Sequence, residues 1–236
     1  MRRWLSGAWL VVAAAVLCVP GGPAAKESGA APDNNLKRRI QDWRDRQDWV
    51  GEGSYGSVTL DEEAFEQIFG HRSYSLVRFG WGWYPAPNLC LVGVAGGMYN
   101  AGHSVGSISG KSSGEAVELY VLPLQWNVRY RFAFVEDQFM VPSVWAGVDY
   151  WYFQELNEFR DNVDGDKSGW HWGADVAFLL DKLDPEAAHH MKMDYGIDGT
   201  YLVAGYEALM VGEAEDGLKF SGSLYSIGLR FEVAGK

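Results

Sequence analysis

Apolar and polar residues alternate one by one along several stretches of this chain. In Tyr225–Val233 every odd-numbered residue is apolar, and every even-numbered residue is polar, charged or glycine. Successive side chains of a β-strand point to opposite faces, so this pattern predicts a strand with one apolar and one polar face. The strand ends three residues before the last residue of the sequence.

Seven more stretches are predicted as strands. They are Trp49–Val58, Ser73–Tyr84, Asn88–Asn100, Ala116–Phe132, Phe139–Gln154, Gly169–Leu180 and Thr200–Met210. The alternation is strongest in Ala116–Phe132 and weakest in Trp49–Val58. Strands of soluble sheets usually have about five or six residues, whereas a tilted strand that crosses a bilayer needs about nine to eleven. The lengths therefore favour strands that span a membrane.

The connections between these strands alternate in length. Tyr84–Asn88 and Ala133–Gln138 are short, whereas Thr59–Arg72, Ala101–Gly114 and Glu155–Ser168 are long and polar. Val211–Leu218 is intermediate in length and acidic. Short turns at one end and longer loops at the other are typical of outer-membrane barrels. Asp181–Asp198 is long although it falls on the short-turn side, and we expect a helix over Pro185–Met191. The predicted fold class is all-β, an eight-stranded antiparallel up-and-down transmembrane β-barrel.

The N-terminus has the features of an export signal. Arg2 and Arg3 precede the apolar stretch Trp4–Val19, and small residues follow up to Ala24 and Ala25. This pattern is typical of a signal peptide that is cleaved after export. We therefore predict a signal peptide over residues 1–25, a polar periplasmic linker over 26–47 and the barrel over 48–236. The linker is compatible both with a short amphipathic helix and with a solvated coil.

Composition narrows the class of protein further. The chain has 11 Trp, 12 Tyr and 29 Gly, which suits the aromatic girdles and tightly packed walls of a barrel. Its formal net charge of -11 disfavours nucleic acid as a partner, because such binding needs basic surfaces. Only Cys90 remains after signal cleavage, so an intramolecular disulfide is not expected.

If the apolar faces contact lipid, the opposite faces fill the lumen with charge of both signs. The predicted lumen charge network is Glu52, Arg78, Arg129, Arg131, Asp149, Asp175, Glu207, Arg230 and Glu232, accompanied by Gln125, Asn127 and His171. The interior of an eight-stranded barrel is just wide enough for side chains to fill. Charges held there must pair, because a lone buried charge costs several kcal/mol. We expect a salt-bridged plug, and a small polar conduit is the alternative.

Sites for metals or catalysis are weakly indicated, and no cofactor is expected. His189 and His190 are adjacent and so lack the i, i+4 spacing of helical zinc sites. Asp161–Asp166 offers oxygen ligands around a glycine but lacks the EF-hand spacing, so we expect an ordinary acidic turn. His103 beside Ser104 is the one candidate pair for a lipid hydrolase.

One part of the chain resembles a known family. The stretch Phe178–Ala188, of the form FLLDxLDPxAA, is followed by Tyr195–Leu202, and the two resemble small outer-membrane β-barrel proteins of myxobacteria and their relatives, which are barrels of the OmpA-like eight-stranded type. Phe65–Gly70 is also similar to that family, whereas Val203–Gly205 departs from it because the family tends to carry aromatic residues there. The resemblance implies an outer-membrane barrel and implies no activity.

The last predicted strand resembles the signal read by the barrel-assembly machinery. Its relevant residues are Ser226, Gly228, Phe231 and Val233. The expected partners are this machinery, outer-membrane lipid and lipopolysaccharide, to which divalent ions could bridge the acidic loops, including Glu213, Glu215 and Asp216. We predict a monomeric, non-enzymatic protein of the cell outer membrane with a structural or interaction role. The alternatives are a narrow porin-like channel, a soluble periplasmic barrel that binds a small hydrophobic ligand, and a lipid hydrolase.

Overall fold

Antiparallel strands form a closed barrel in the computed structural model of the chain. The structure describes residues 47–105, 112–135, 138–158, 161–212 and 219–234. Within them are eight strands: β1 (Gln47–Leu60), β2 (Ser73–Ala86), β3 (Leu89–Val105), β4 (Ser112–Arg131), β5 (Met140–Asn157), β6 (Val163–Leu179), β7 (Ile197–Val211) and β8 (Gly222–Ala234). Each strand pairs with its neighbours in sequence, and β8 pairs with β1. The predicted all-β, eight-stranded antiparallel up-and-down barrel is confirmed as a fold.

The strands are strongly tilted. If one follows paired residues around the barrel from Trp49, through Trp83 and each strand in turn, the path returns to β1 at Thr59. The stagger is therefore ten residues, and a stagger of this kind is what tilts the strands of a closed barrel by roughly 35–45°. We call the end where β1 begins and β8 ends the termini end, and the opposite end the loop end.

Two helices lie in the connections between strands, one at each end of the barrel. α1 (Glu63–Phe69) connects β1 to β2 at the loop end and terminates at Gly70, whose φ of 76° is accessible to glycine at little cost. α2 (Pro185–Tyr195) connects β6 to β7 at the termini end, and the Asp184 side chain accepts a hydrogen bond from the Ala187 N–H at its start. The helix expected over Pro185–Met191 is confirmed and is longer. No helix among the described residues is long and apolar enough to cross a membrane.

All eight predicted strands are present, and each is longer than expected. β3, β4, β5 and β6 have 17 to 20 residues, against 13 to 15 in the other four, so they project beyond them at the loop end. The loops predicted over Ala101–Gly114 and Glu155–Ser168 are consequently wrong in extent, because strand pairing continues into both. Residues 163–166 belong to β6, so the acidic turn predicted over Asp161–Asp166 is in large part a strand.

β1 looked weak in the sequence because its outward face carries glycines. An added Cβ on Gly51 would meet the Trp81 ring at 3.3 Å, and one on Gly53 would meet Phe79 at 3.6 Å. Aromatic side chains of β2 therefore cover the bare backbone of β1, an arrangement that stabilises glycine within a sheet. Gln47, expected at the end of the linker, is the first residue of β1. The predicted signal peptide and residues 26–46 of the linker lie outside the described residues.

The outer surface carries a belt of exposed apolar side chains. Those with at least 45% of their surface exposed on the strands are Trp83, Tyr55, Tyr99, Trp126, Val128, Met140, Val144, Val148, Val163, Trp170, Trp172, Tyr225 and Ile227. An apolar surface of this extent is foreign to soluble monomers. The charged faces point inward, which contradicts the alternative of a soluble barrel with an apolar interior and charged exterior.

Candidate functional site

Charged side chains fill the lumen from the termini end to about the middle of the barrel. Nearest the termini end, Arg131 on β4 and Glu232 on β8 form an ion pair of 2.5 Å across the barrel, with at most 1% of either side chain exposed. Tyr84 donates a hydrogen bond of 3.0 Å to Glu232 and accepts one of 3.1 Å from Arg131. The ring faces of Tyr84 and Tyr201 lie against the Arg131 guanidinium. This first group ties β2, β4, β7 and β8 together.

A second group lies directly above the first. Glu52 accepts hydrogen bonds of 2.7 and 3.1 Å from the fork of Arg129, and one of 3.2 Å from Arg230 Nε. Arg230 also donates to Asp175 at 2.5 Å, and the hydroxyl of Ser143 donates to the same carboxylate. Two guanidinium groups therefore share two carboxylates, so the second group is electrically neutral.

A third group occupies the middle of the barrel. Arg78 donates to Glu207 at 2.8 Å, and Gln125 Nε2 donates to Glu207 at 2.6 Å and to Asp149 at 2.8 Å. His171 Nδ1 lies 2.6 Å from Asp149 Oδ2, and both side chains are inaccessible to solvent. The other ring nitrogen of His171 contacts the side-chain oxygen of Asn127. Trp151 Nε1 also donates to Asp149, at 3.1 Å.

Above the third group the lumen becomes apolar. Its buried members, which we call the apolar plug, are Val58, Leu60, Phe65, Tyr74, Leu76, Met98, Leu119, Val121, Trp151, Phe153, Leu209, Val211, Phe220 and Leu224. Phe65 of α1 and Phe220, just before β8, come from the connections and not from the wall. Their ring centroids are 5.7 Å apart, and the Phe220 ring lies 5.3 Å from that of Trp151. The plug fills the barrel at the loop end.

α1 is fixed over the mouth by backbone and side-chain contacts. A Cβ added to Gly102 of β3 would lie 2.5 Å from the Ile68 carbonyl oxygen, so the helix backbone rests directly on this glycine. Arg72 pairs with Glu66 at 2.6 Å, and Tyr74 donates a hydrogen bond of 2.7 Å to the His71 carbonyl. These contacts position Phe65 so that its ring is fully buried.

Every residue of the predicted lumen charge network lies on the inner face, and the structure brings all nine into contact with at least one partner. The predicted neighbours Gln125, Asn127 and His171 join the third group. The sequence prediction missed Tyr84, Ser143 and Trp151 as hydrogen-bonding members. It also missed the apolar plug. The signal for it lay at Leu76, Val121 and Leu209. These inward residues are apolar and are followed by outward residues that are also apolar, so the strands are apolar on both faces there.

Of the other residues singled out in the sequence, those that the structure describes are exposed. His103 is exposed on β3 opposite Ala116, and the side chain of Ser104 lies outside the described residues, as do Glu213, Glu215 and Asp216. His189 and His190 are exposed on α2, with ring centroids 6.3 Å apart. Within the described part of the chain, no three His, Cys, Asp or Glu residues gather as metal ligands.

The proposed assembly residues all lie on β8. Ser226 and Gly228 face the lumen, and Phe231 and Val233 face outward. Gly228 has a steric role of its own, because an added Cβ would lie 2.3 Å from the Gly53 carbonyl oxygen of β1. The side-chain directions match the predicted alternation, and recognition by an assembly machinery stays a prediction.

Comparison with known proteins shows what the fold is similar to. No known protein family and no curated protein matches the sequence. Among solved structures, the outer membrane protein OprG from Pseudomonas aeruginosa aligns with a TM-score of 0.54 and 12% identity, over 81% of this chain and 98% of OprG. Neisserial surface protein A aligns with a TM-score of 0.49 and 12% identity, over 78% of this chain and 96% of that protein.

The N-terminal β-barrel domain of Pseudomonas aeruginosa OprF also aligns, with a TM-score of 0.46 and 13% identity, over 79% of this chain and 98% of that domain. Identities this low show a shared fold, and the alignment with OprG carries that conclusion. The chain has the fold of a small eight-stranded outer-membrane barrel. The resemblance of Phe178–Leu202 to the myxobacterial family gains no support from these comparisons.

Proposed function

We propose that this protein is an outer-membrane β-barrel with a closed lumen, and that its role is structural or interactive and not catalytic. The observation that carries the proposal is the filled lumen. Three groups of paired charges and an apolar plug follow one another from the termini end to the loop end. A lumen that is packed in this way stiffens the barrel and leaves no path for solutes. The protein would then act through contacts that its outer surface makes with other molecules.

The exposed apolar belt supports the membrane location. In barrels that lie in a membrane, the residues of each strand alternate between a polar interior and an apolar, aromatic outer face that contacts lipid. With both chain ends in the periplasm, α2 would lie on the periplasmic side and α1 on the cell surface. The longer strands β3–β6 would then rise above the outer leaflet as the part most accessible to surface partners.

Two measurements test location and folding. The protein is expected in the outer-membrane fraction after sucrose-gradient separation, and it should migrate faster on a gel when it is not boiled, because a closed barrel resists the detergent. Recovery of the mature protein in the soluble periplasmic fraction would contradict the proposal. A variant that lacks β8 should lose the migration difference, since its barrel cannot close.

Uptake of solutes into liposomes tests whether the lumen is closed. Liposomes that contain the protein should swell in small sugars no faster than protein-free liposomes, while a porin reconstituted at the same density serves as the positive control. Swelling at the rate of the porin would favour the narrow-channel alternative.

Lipopolysaccharide is the proposed partner at the cell surface. Asp161, Asp164 and Asp166 are exposed near the tip of the β5–β6 hairpin, where divalent ions could bridge them to anionic lipid. Chelation with EDTA should lower the melting temperature of the barrel in lipopolysaccharide-containing membranes and leave it unchanged in neutral detergent. If EDTA leaves the melting temperature unchanged in lipopolysaccharide-containing membranes as well, the divalent bridge is removed from the proposal.

Assembly through the barrel-assembly machinery, and a monomeric state, are further proposals.

A further inference from the structure

The exposed apolar belt is not equally tall on all sides of the barrel. On β5 the outward side chains are apolar or aromatic from Met140 to Tyr152, twelve residues on. On β4 they are so from Phe132, just after the strand, back to Tyr120, again over twelve residues. A strand tilted by about 40° advances about 2.5 Å per residue along the barrel axis. The belt is therefore about 30 Å tall on this side, which matches the hydrocarbon core of a bilayer.

On the opposite side the belt ends much sooner. The last apolar outward residues are Tyr55 on β1, six residues after Trp49, and Val77 on β2, six residues before Trp83. On β8 the apolar outward run ends at Tyr225. By the same conversion from residues to length, the belt is only about 15 Å tall on β1 and β2.

Hydroxyl side chains follow where the belt ends on that side. They form one continuous group on the outward face, which we call the hydroxyl patch: Ser57, Thr59, Ser73, Ser75 and Ser223. Ser57 is the cross-strand partner of Ser75, and Thr59 is the partner of Ser73 on β2 and of Ser223 on β8. The patch therefore extends over three neighbouring strands, directly above the short part of the belt.

The hydroxyl patch keeps hydrogen-bonding capacity. Tyr55 Oη lies 2.7 Å from Ser75 Oγ, and Thr59 Oγ1 lies 2.9 Å from Ser73 Oγ. Within each pair one hydroxyl donates to the other, so one donor and further acceptor sites stay available. Hydrocarbon chains offer no partner to such groups, and unpaired hydroxyls are unfavourable in an apolar medium. The patch therefore fits the polar region of a membrane and not its core.

The two sides of the belt start at the same level at the termini end. Paired residues lead from Trp49 to Ala146 on β5, halfway around the barrel. Half of the ten-residue stagger has accumulated there, so the level of Trp49 lies about five residues before Ala146, next to Met140. Ser57, eight residues after Trp49, is then level with Val148, which is 57% exposed within the belt. A flat bilayer that covers β4 and β5 would immerse the hydroxyl patch in hydrocarbon.

We propose that the hydroxyl patch binds the headgroups of outer-leaflet lipids, so that the bilayer is thinner beside β8, β1 and β2 than beside β4 and β5. The patch hydroxyls donate to phosphate and sugar oxygens of the headgroups. The short belt below the patch contacts the acyl chains of the same lipids, so lipid contact is continuous from one to the other. A bilayer accommodates a short apolar surface by thinning locally, at a modest cost for each ångström. The inference rests on the proposed membrane location.

Nitroxide labels on single introduced cysteines measure the depth of each side. Every variant carries Cys18→Ser, and Cys90 is fully buried, so the reagent reaches only the introduced cysteine. Ser57→Cys and Ser75→Cys report on the patch, and Val148→Cys is the matched control. In vesicles of dimyristoylphosphatidylcholine with a nickel-chelating lipid, nickel at the headgroups should relax the patch labels several-fold more than the control label. Oxygen, which concentrates in hydrocarbon, should have the opposite preference.

Each other outcome counts against the proposal. Equal relaxation of the labels at Ser57 and Val148 would overturn it, because the patch would then lie in hydrocarbon. Protection of the Ser57 label from both nickel and oxygen would also overturn it, and would indicate that a second copy of the chain covers the patch. If Ser57→Cys fails to fold, Ser75→Cys provides the same comparison.

Two labels at the termini end distinguish local thinning from a tilted barrel. Trp49→Cys and Met140→Cys should report equal depths if the bilayer thins beside the patch. A tilt would place them at different depths and would overturn the proposal.

The control label separates this inference from the proposed function. Exposure of the Val148 label to water would mean that the barrel is not inserted, so the proposed function itself would fail. A Val148 label in hydrocarbon, with the Ser57 label equally deep, would remove the headgroup site alone.

Discussion

Loss of an ion pair in the lumen should lower the free energy of unfolding by more than loss of an ion pair on the surface. Arg131 and Glu232 are almost inaccessible to solvent, so removal of one charge leaves the other desolvated and unpaired. We expect Glu232→Ala to lower the free energy of unfolding by about 3–5 kcal/mol. The double variant Arg131→Met, Glu232→Leu should recover most of this loss. Urea unfolding in lipid vesicles, followed by tryptophan fluorescence, measures both.

The surface pair Arg72–Glu66 provides the control for this prediction. Its side chains are 37% and 55% exposed, and exposed pairs contribute about 0–1 kcal/mol. Glu66→Ala should therefore change stability by less than Glu232→Ala does. Equal losses in the two variants would mean that the lumen pair is not desolvated as the structure indicates.

The charged residues of the lumen were predictable from sequence because strand periodicity assigns each of them to a face. On β4, Arg129 and Arg131 have odd numbers, whereas Trp126 and Val128 have even numbers. The structure places the two sets on opposite sides of the barrel wall. Their pairing was not predictable. Glu52 and Arg230 meet because β1 and β8 are neighbours in a barrel staggered by ten residues, and no local pattern encodes that stagger.

At the scale of elements, the closure between β1 and β8 depends on glycine. A Cβ added to Gly222 would lie 2.0 Å from the Thr59 carbonyl oxygen, so a side chain cannot enter without moving the backbone of β1. Gly222→Ala should destabilise the barrel by about 1–3 kcal/mol, the usual cost of overpacking. The temperature at which the unboiled protein loses its fast gel migration should fall accordingly. Gly93→Ala on the lipid face, where the atom nearest to an added Cβ is 3.9 Å away, should leave that temperature unchanged.

α1 is the element whose role the sequence concealed. The connection Thr59–Arg72 is polar overall, and Phe65 is the one buried residue of the helix, with Phe69 half-buried beside it. Phe65→Ala should cost about 3–5 kcal/mol, as for other buried aromatic residues. Leu183, which is 75% exposed in the connection before α2, gives the control, because Leu183→Ala removes no packing. A loss below 1 kcal/mol in Phe65→Ala would show that the helix does not seat its ring in the barrel.

The boundaries of β3–β6 were the other miss at this scale. Alternation in Ala101–Gly114 and Glu155–Ser168 is obscured, because glycine, serine and acidic residues are frequent there. Hydrogen bonding to the neighbouring strand holds them extended without an apolar face. Length and pairing, and not hydrophobic contrast, define a strand beyond the belt.

For the whole molecule, one end of the lumen is closed by ion pairs and the other by apolar packing. Toward the termini end, four arginines and five carboxylates of the described residues pair across the barrel, and His171 lies beside the carboxylate of Asp149. Toward the loop end, aromatic and aliphatic side chains exclude water. Because the charged groups lie beneath the plug, loss of the plug alone should not open a path. Phe65→Ala should therefore weaken the fold and leave ion flux at the background level.

Planar-bilayer conductance tests the closed lumen most directly. The purified, refolded protein should insert without producing discrete current steps in potassium chloride, and Phe65→Ala should behave in the same way. A porin added to the same bilayer confirms that single channels are detectable. Reproducible current steps from the wild-type protein, with one defined amplitude, would contradict the central claim that paired charges and the apolar plug close this barrel.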